Sequence, residues 1–127
     1  MRTRVLVLDD QKYLRDIIAA VLDDAGYPSV AVGSPDEALR CLDELQPEML
    51  VLDMSLPGMS GLEFLDKLRA APEWETLPVI VVSGDPGKII AVQGRAHVGT
   101  LMKPFDVAVL IDAAQAILGP PALTQSA

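Results

Sequence analysis

The sequence predicts an α/β fold: a doubly wound, five-stranded parallel sheet with helices on both faces. Two observations carry this. Five short apolar runs alternate with stretches of helical periodicity along the chain. The strongest runs, such as Val5-Leu6-Val7-Leu8 and Met49-Leu50-Val51-Leu52, are unbroken rather than alternating. Strands buried on both faces have that pattern, and strand–helix alternation builds βαβ units with right-handed crossovers.

The first strand runs from Arg4 to Leu8. Leu14, Ile17, Ile18, Val21, Leu22 and Ala25 then fall on one face of a first helix, and Gly26 stands where a left-handed residue would end it. The second strand is Ser29 to Val32. Ser34-Pro35-Asp36-Glu37 opens the second helix as a capping box with proline at the first helical position. The third strand is Met49 to Leu52. Ser60, with Glu63 three residues on, opens the third helix in the same way. The fourth strand is Val79 to Val82, followed by a short helix of weak signals near Pro86 to Gln93. The fifth strand is Gly99 to Met102. The fifth helix runs from about Asp106 to Leu118, with Val107, Leu110, Ile111 and Ala114 inward. Residues 1–119 form the expected domain. Residues 120–127 carry Pro120-Pro121 and no apolar period, and read as a flexible tail or linker stub.

A chain of 127 residues fits one domain and leaves no room for a second folded module. Half its residues are apolar and its mean hydropathy is +0.33. Yet no run approaches the roughly 18–20 apolar residues of a membrane span. Met1-Arg2-Thr3-Arg4 is basic, but the four apolar residues after it are too few for a signal peptide. The expected location is the cytoplasm, away from the membrane. The net charge of −8, with Lys and Arg scattered singly, argues against direct nucleic-acid binding. The single Cys41 excludes an internal disulfide, fits a reducing compartment and falls on the apolar face of a helix as core. The single His97 is too far from Cys41 in sequence to suggest a zinc site and reads as an ordinary loop or strand residue.

The chemistry sits where the strands end. Asp9-Asp10 closes the first run and Asp53 the third, so three carboxylates share one rim of the sheet. Like charges held that close repel unless a cation joins them, and hard oxygen donors suit Mg²⁺ or Ca²⁺ rather than zinc. Ser83 and Lys103 follow the fourth and fifth runs onto the same rim, where ligands of open α/β sheets bind. Acids, a hard metal and a lysine make a site for handling a phosphoryl group. The plain alternatives are a helix N-cap for Asp9 or Asp10, and turn residues at Asp53 and Ser83.

Asp9-Asp10, the segment Asp53-Met54-Ser55-Leu56-Pro57-Gly58-Met59-Ser60-Gly61, Ser83 in Val82-Ser83-Gly84-Asp85, and Lys103-Pro104-Phe105 occur in this order at the ends of alternating strands. In this the chain resembles a response-regulator receiver domain from Arg4 to about Leu118. The resemblance implies a flavodoxin-like sheet of strand order 2-1-3-4-5. It implies a stand-alone module that takes a phosphoryl group on Asp53 from a histidine kinase or phosphotransfer protein. Mg²⁺ would be held by Asp10 and Asp53, by Asp9 directly or through water, and by the backbone carbonyl of Ser55. Lys103 and the Ser83 hydroxyl would contact the phosphoryl group. A cis peptide bond is implied between Lys103 and Pro104. The module would promote its own phosphorylation and dephosphorylation without turning over an external substrate. It would signal to a downstream protein through the face of the fourth helix, fifth strand and fifth helix, where a homodimer could also form.

The chain departs from the family pattern in a short fourth helix, in a blurred small-residue pair within Arg95-Ala96-His97-Val98-Gly99, and above all at Thr100. Thr100 stands three residues before Lys103, where receivers commonly carry an aromatic side chain that turns inward on activation. Switching is therefore expected between Ser83 and about Ile90. Two other readings compete: a receiver-like binding module independent of phosphate, and a Mg²⁺ phosphatase with an aspartyl-phosphate intermediate. The second acid that such phosphatases carry two residues past the nucleophile is here Ser55.

Overall fold

The computed structural model describes residues 2–121. Five parallel strands form one sheet: β1 (Val5–Leu8), β2 (Ser29–Val32), β3 (Met49–Asp53), β4 (Val79–Ser83) and β5 (Val98–Met102). Their spatial order is β2-β1-β3-β4-β5, as the resemblance implies. The helices are α1 (Lys12–Asp24), α2 (Pro35–Leu45), α3 (Gly61–Ala70), α4 (Pro86–Val92) and α5 (Val107–Leu118).

Side chains alternate across the sheet with period two, so each apolar run serves two cores. Leu6, Leu8, Leu50, Leu52, Val79 and Val81 face α2, α3 and α4. Val5, Val7, Met49, Val51, Ile80 and Val82 face α1 and α5. The central strands β1, β3 and β4 are buried at every residue, whereas β2 and β5, at the edges, are only partly covered.

Several expectations need correction. Strand ends move by a residue: β1 starts at Val5 rather than Arg4, β3 and β4 extend to Asp53 and Ser83, and β5 begins at Val98. Val107, expected inward, is exposed, and Ile111 is half-buried. Ile17 of the predicted α1 stripe is exposed as well. The reason is common to both helices. Leu110 and Ala114, four residues apart, point α5 at the sheet, and Ile18 and Leu22 do so for α1. Ile17 and Val107 are left lining a groove of about 490 Å³ between the two helices. Cys41 is half-buried, packed against the core rather than inside it, and burial pushes its thiol pKa up. His97 is exposed in the turn before β5, with φ +61°. A 3-10 turn over Pro72–Trp74, which no sequence signal announced, buries Trp74 beneath the end of α3.

The caps differ in completeness. Ser60 and Glu63 make the full reciprocal box on α3, each bond 3.1 Å. On α2 the Ser34 hydroxyl accepts from the Glu37 N–H, but the Glu37 carboxylate accepts from Gly33 N–H, one residue before the cap. Ser60→Ala should therefore destabilise the protein by about 1 kcal/mol, measurable by urea denaturation. Gly119, beyond α5, is tied down by the Tyr27 hydroxyl, which donates to its carbonyl at 2.7 Å. Of the expected tail, residues 122–127 lie outside the described residues. Among the described residues no helix is long and apolar enough to cross a membrane.

Candidate functional site

Register places the site. β1 and β3 pair directly, Leu8 beside Leu52, so the residues that follow, Asp9 and Asp53, emerge side by side. Successive connections leave β1 and β3 toward opposite faces, and the crevice between their carboxyl ends is the switch point of the fold. Carboxylate oxygens of Asp9, Asp10 and Asp53 lie within 4.8 Å of one another. Asp9 and Asp53 are buried, whereas Asp10 is exposed. Neither Asp9 nor Asp10 is the N-cap of α1. That position is Gln11, without a side-chain cap bond, and Asp9 Oδ1 instead accepts from the Gln11 N–H at 2.8 Å.

Lys103 closes the crevice from β5. Its Nζ lies 3.4 Å from Asp53 Oδ1 and 3.7 Å from Asp9 Oδ2. The Lys103–Pro104 peptide bond is cis. Ser83, at the end of β4, is buried, and its Oγ accepts from the Asp85 N–H at 3.0 Å. An oxygen that accepts in this way keeps its own hydroxyl hydrogen for another acceptor. Ser83 O also receives the Lys103 N–H at 2.8 Å, which locks the two rim residues together.

Electrostatics mark Asp53 as the stressed member. Burial raises its pKa above the ordinary carboxylate value, and the neighbouring Asp9 raises it further. Lys103 and the Ser55 backbone N–H act in the opposite sense. One ammonium against three carboxylates leaves a net negative pocket. All three acids offer hard oxygens at one point, so the donor set fits a small divalent cation such as Mg²⁺. Asp53 is steadied from below by Gly61. A Cβ there would stand 2.5 Å from Met54 Cα and 2.8 Å from Asp53 O, so only glycine lets α3 start this close to β3.

All five residues expected on the rim thus stand at the carboxyl end of the sheet, and the side chains of Asp9, Asp10, Asp53 and Lys103 converge there, with Ser83 bonded to Lys103 through the backbone. Ser55 lies on the exposed loop that follows Asp53. Thr100 is half-buried in β5, paired with Val81. Two residues at the site carried no sequence signal. Lys88, on α4, donates to Ser55 Oγ at 3.1 Å and ties that helix to the loop after Asp53. Arg15, on α1, donates to the carbonyls of Asp9 and Asp10. The Lys88 contact joins segments 33 residues apart, the Arg15 contact reaches back only five and six residues, and the helical pattern around each residue only marks it as polar surface.

Known proteins agree with this architecture. Residues 5–115 match the family model described as the response regulator receiver domain. The DNA-binding response regulator MtrA of Mycobacterium tuberculosis is 32% identical over 107 residues, covering 83% of this chain and 46% of that protein. The chain thus spans about half the length of such relatives. Sporulation initiation phosphotransferase F of Bacillus subtilis is 29% identical over 121 residues, covering 93% of this chain and 95% of its own length. Among solved structures, chemotaxis protein CheY4 of Vibrio cholerae superposes with a TM-score of 0.82 at 26% identity, covering 93% of this chain and all of that one. The receiver domain of a sensor histidine kinase from Pseudomonas aeruginosa, solved with a magnesium ion in its active-site cleft, shares the fold at 23% identity, a TM-score of 0.81, and coverage of 94% and 99%. With the strand order, the rim of acids and a match over residues 5–115 in agreement, this chain belongs to the response regulator receiver domain family of two-component signalling.

Proposed function

We propose that this receiver accepts a phosphoryl group on Asp53 from the phosphohistidine of a kinase or phosphotransfer protein, in a Mg²⁺-dependent reaction. The observation that carries the reading is the convergence of three carboxylates at one point of the rim, with Lys103 beside the two buried ones, Asp9 and Asp53. A carboxylate oxygen of Asp53 attacks phosphorus, a new O–P bond forms, and the N–P bond to the donor imidazole breaks with its electron pair leaving on nitrogen. A carboxylate is a weak nucleophile, so alignment and charge neutralisation must supply the rate. Asp9, Asp10, Asp53 and the Ser55 carbonyl would hold the ion. When bound, it supplies neutralisation of the charge on the transferring phosphoryl oxygens. Lys103 Nζ, already beside Asp53 Oδ1, is positioned to pair with a second phosphoryl oxygen. The Ser83 hydroxyl donates to a third, drawing the β4–α4 loop inward.

That movement carries the signal. Thr100 is too small for its rotamer change to displace much surface. Ser83 reaches α4 through the Asp85 N–H, and Asp85 caps α4 by accepting from the Gly87 N–H at 2.9 Å. Ile90 on α4, Met102 on β5, and Val107 and Val109 on α5 are exposed apolar residues suited to a protein partner.

Incubation with acetyl phosphate and Mg²⁺ should add one phosphoryl group, read by intact-mass spectrometry. Lys103→Ala should leave Mg²⁺ affinity within a few-fold and reduce labelling, because the lysine serves phosphate rather than metal. Wild-type protein that stays unlabelled with Mg²⁺ present would favour the phosphate-independent binding module. Steady turnover of phosphomonoesters would favour the phosphatase.

A further inference from the structure

Arg15 occupies a socket that only glycine permits. Its Nη1 donates to the carbonyl oxygens of both Asp9 and Asp10, 3.3 Å each. A Cβ built on Gly33 would lie 2.8 Å from that Nη1, 3.0 Å from Cζ and 3.3 Å from Nη2. Gly33 does not have the positive φ that calls for glycine on conformational grounds. What glycine supplies here is room. The neighbourhood is held by the sheet, since Leu8 pairs with Val32 and the Asp9 N–H donates to Val32 O at 3.2 Å. The loops that follow β1 and β2 therefore run side by side, and the guanidinium bridges from α1 into the gap between them.

We infer that Arg15, admitted by Gly33, is a positioning residue that sets the Asp9-Asp10 turn for metal binding. This rests on the reading that Asp9, Asp10 and Asp53 hold Mg²⁺. Within the turn itself, the Gln11 N–H on Asp9 Oδ1 fixes only one of the two acids. Gln11 gives α1 no side-chain cap, and Asp10 is exposed. Two bonds from one guanidinium nitrogen, Nη1, fix the orientation of two successive peptide units, and with them the directions in which the two carboxylates leave the chain. Partners that orient a metal's ligands without touching the metal typically matter about 10–100-fold in affinity.

The test is a Mg²⁺ titration of the full chain by calorimetry, without any phosphodonor, alongside melting temperatures in EDTA. Arg15→Ala should weaken Mg²⁺ binding by about tenfold or more. Gly33→Ala should weaken it in the same direction while every charge is kept, because the new methyl evicts a flexible side-chain end rather than backbone. Arg15→Lys keeps the charge but not the longer, planar guanidinium that lies against Gly33 and reaches both carbonyls, and should recover only part of the affinity. The EDTA melting temperature of Gly33→Ala should stay close to wild type, which separates loss of the metal site from loss of the fold. Arg15→Ala and Gly33→Ala binding Mg²⁺ within twofold of wild type would overturn the inference. So would full recovery by Arg15→Lys, which would assign the effect to charge alone. A wild-type chain that binds no Mg²⁺ would instead overturn the proposed function on which the inference rests.

Discussion

Asp53→Asn should abolish phosphorylation by acetyl phosphate and, in EDTA, melt at a higher temperature than the wild type. The first effect follows from losing the nucleophilic oxygen, since an amide neither attacks phosphorus at a useful rate nor carries the charge that pairs with Lys103. The second follows from where the charge sits. Asp53 is only 4% exposed and shares its pocket with Asp9 and Asp10, so ionisation is opposed by burial and by like charge. Its folded pKa is raised above the ordinary 3.8, which means the folded state binds this proton more tightly than the unfolded state. The stabilisation from that proton is complete below the unfolded value and is lost as pH rises through the folded one. At neutral pH the wild type therefore carries a penalty that the Asn variant lacks. The gain should shrink as the solution is acidified toward the ordinary carboxylate range. Mg²⁺ reverses the order. At a hundred times its dissociation constant it should stabilise the wild type by about 2.7 kcal/mol, and the variant, short of one ligand, by less. Thermal melts across pH, with EDTA or with Mg²⁺, read all of this. A variant less stable than wild type in EDTA at neutral pH, or one labelled as fully as wild type, would refute the assignment of Asp53.

Gly61→Ala should be among the most destabilising single-methyl insertions in the molecule. The added Cβ meets Met54 Cα at 2.5 Å, Asp53 O at 2.8 Å and Met54 Sδ at 2.8 Å. The sulfur can move aside, but the two backbone atoms cannot. They belong to the end of β3 and the residue after it, and Met54 N–H is bonded to Val82 O while Gly61 N–H is bonded to Met54 O. To relieve the clash α3 must back away from the sheet, opening the contacts of the buried Phe64, Leu65 and Leu68. Overpacking of this kind costs about 2–3 kcal/mol, or roughly 10 °C in melting temperature for a domain of this size. Because the displaced atoms lead into Asp53, the proposed phosphoacceptor, labelling should slow even where the variant stays folded. Gly58, whose φ is +76°, has nothing within 4 Å of its missing Cβ, so Gly58→Ala should disturb only the turn and serves as the control. Equal stability of Gly61→Ala and wild type would mean that α3 is not held at this distance from β3.

Much of this molecule was legible in the chain itself because its signals are local. Unbroken apolar runs marked β1, β3 and β4, which are indeed buried at every residue. Ser60 with Glu63 marked the start of α3 through bonds that span only three residues. Asp9-Asp10, Asp53, Ser83 and Lys103 were recognisable as rim residues because each follows an apolar run directly, and parallel strands place their ends on one side. Other features depended on neighbours the chain does not place side by side. Helical spacing nominated Ile17 and Val107 for the core, but the spacing α1 and α5 keep from one another left both lining a groove. The contact between Lys103 and Asp53 spans 50 residues, and its 3.4 Å depends on β4 standing between β3 and β5. Arg15 beside Gly33 and Lys88 beside Ser55 are meetings across loops, decided by strand order and register rather than by any pattern around those residues. Periodicity determines which face of an element is apolar. Only the packed sheet determines which polar groups end up within hydrogen-bonding distance at its edge, and for this protein that decides how the acidic turn and the loop after Asp53 are held in place.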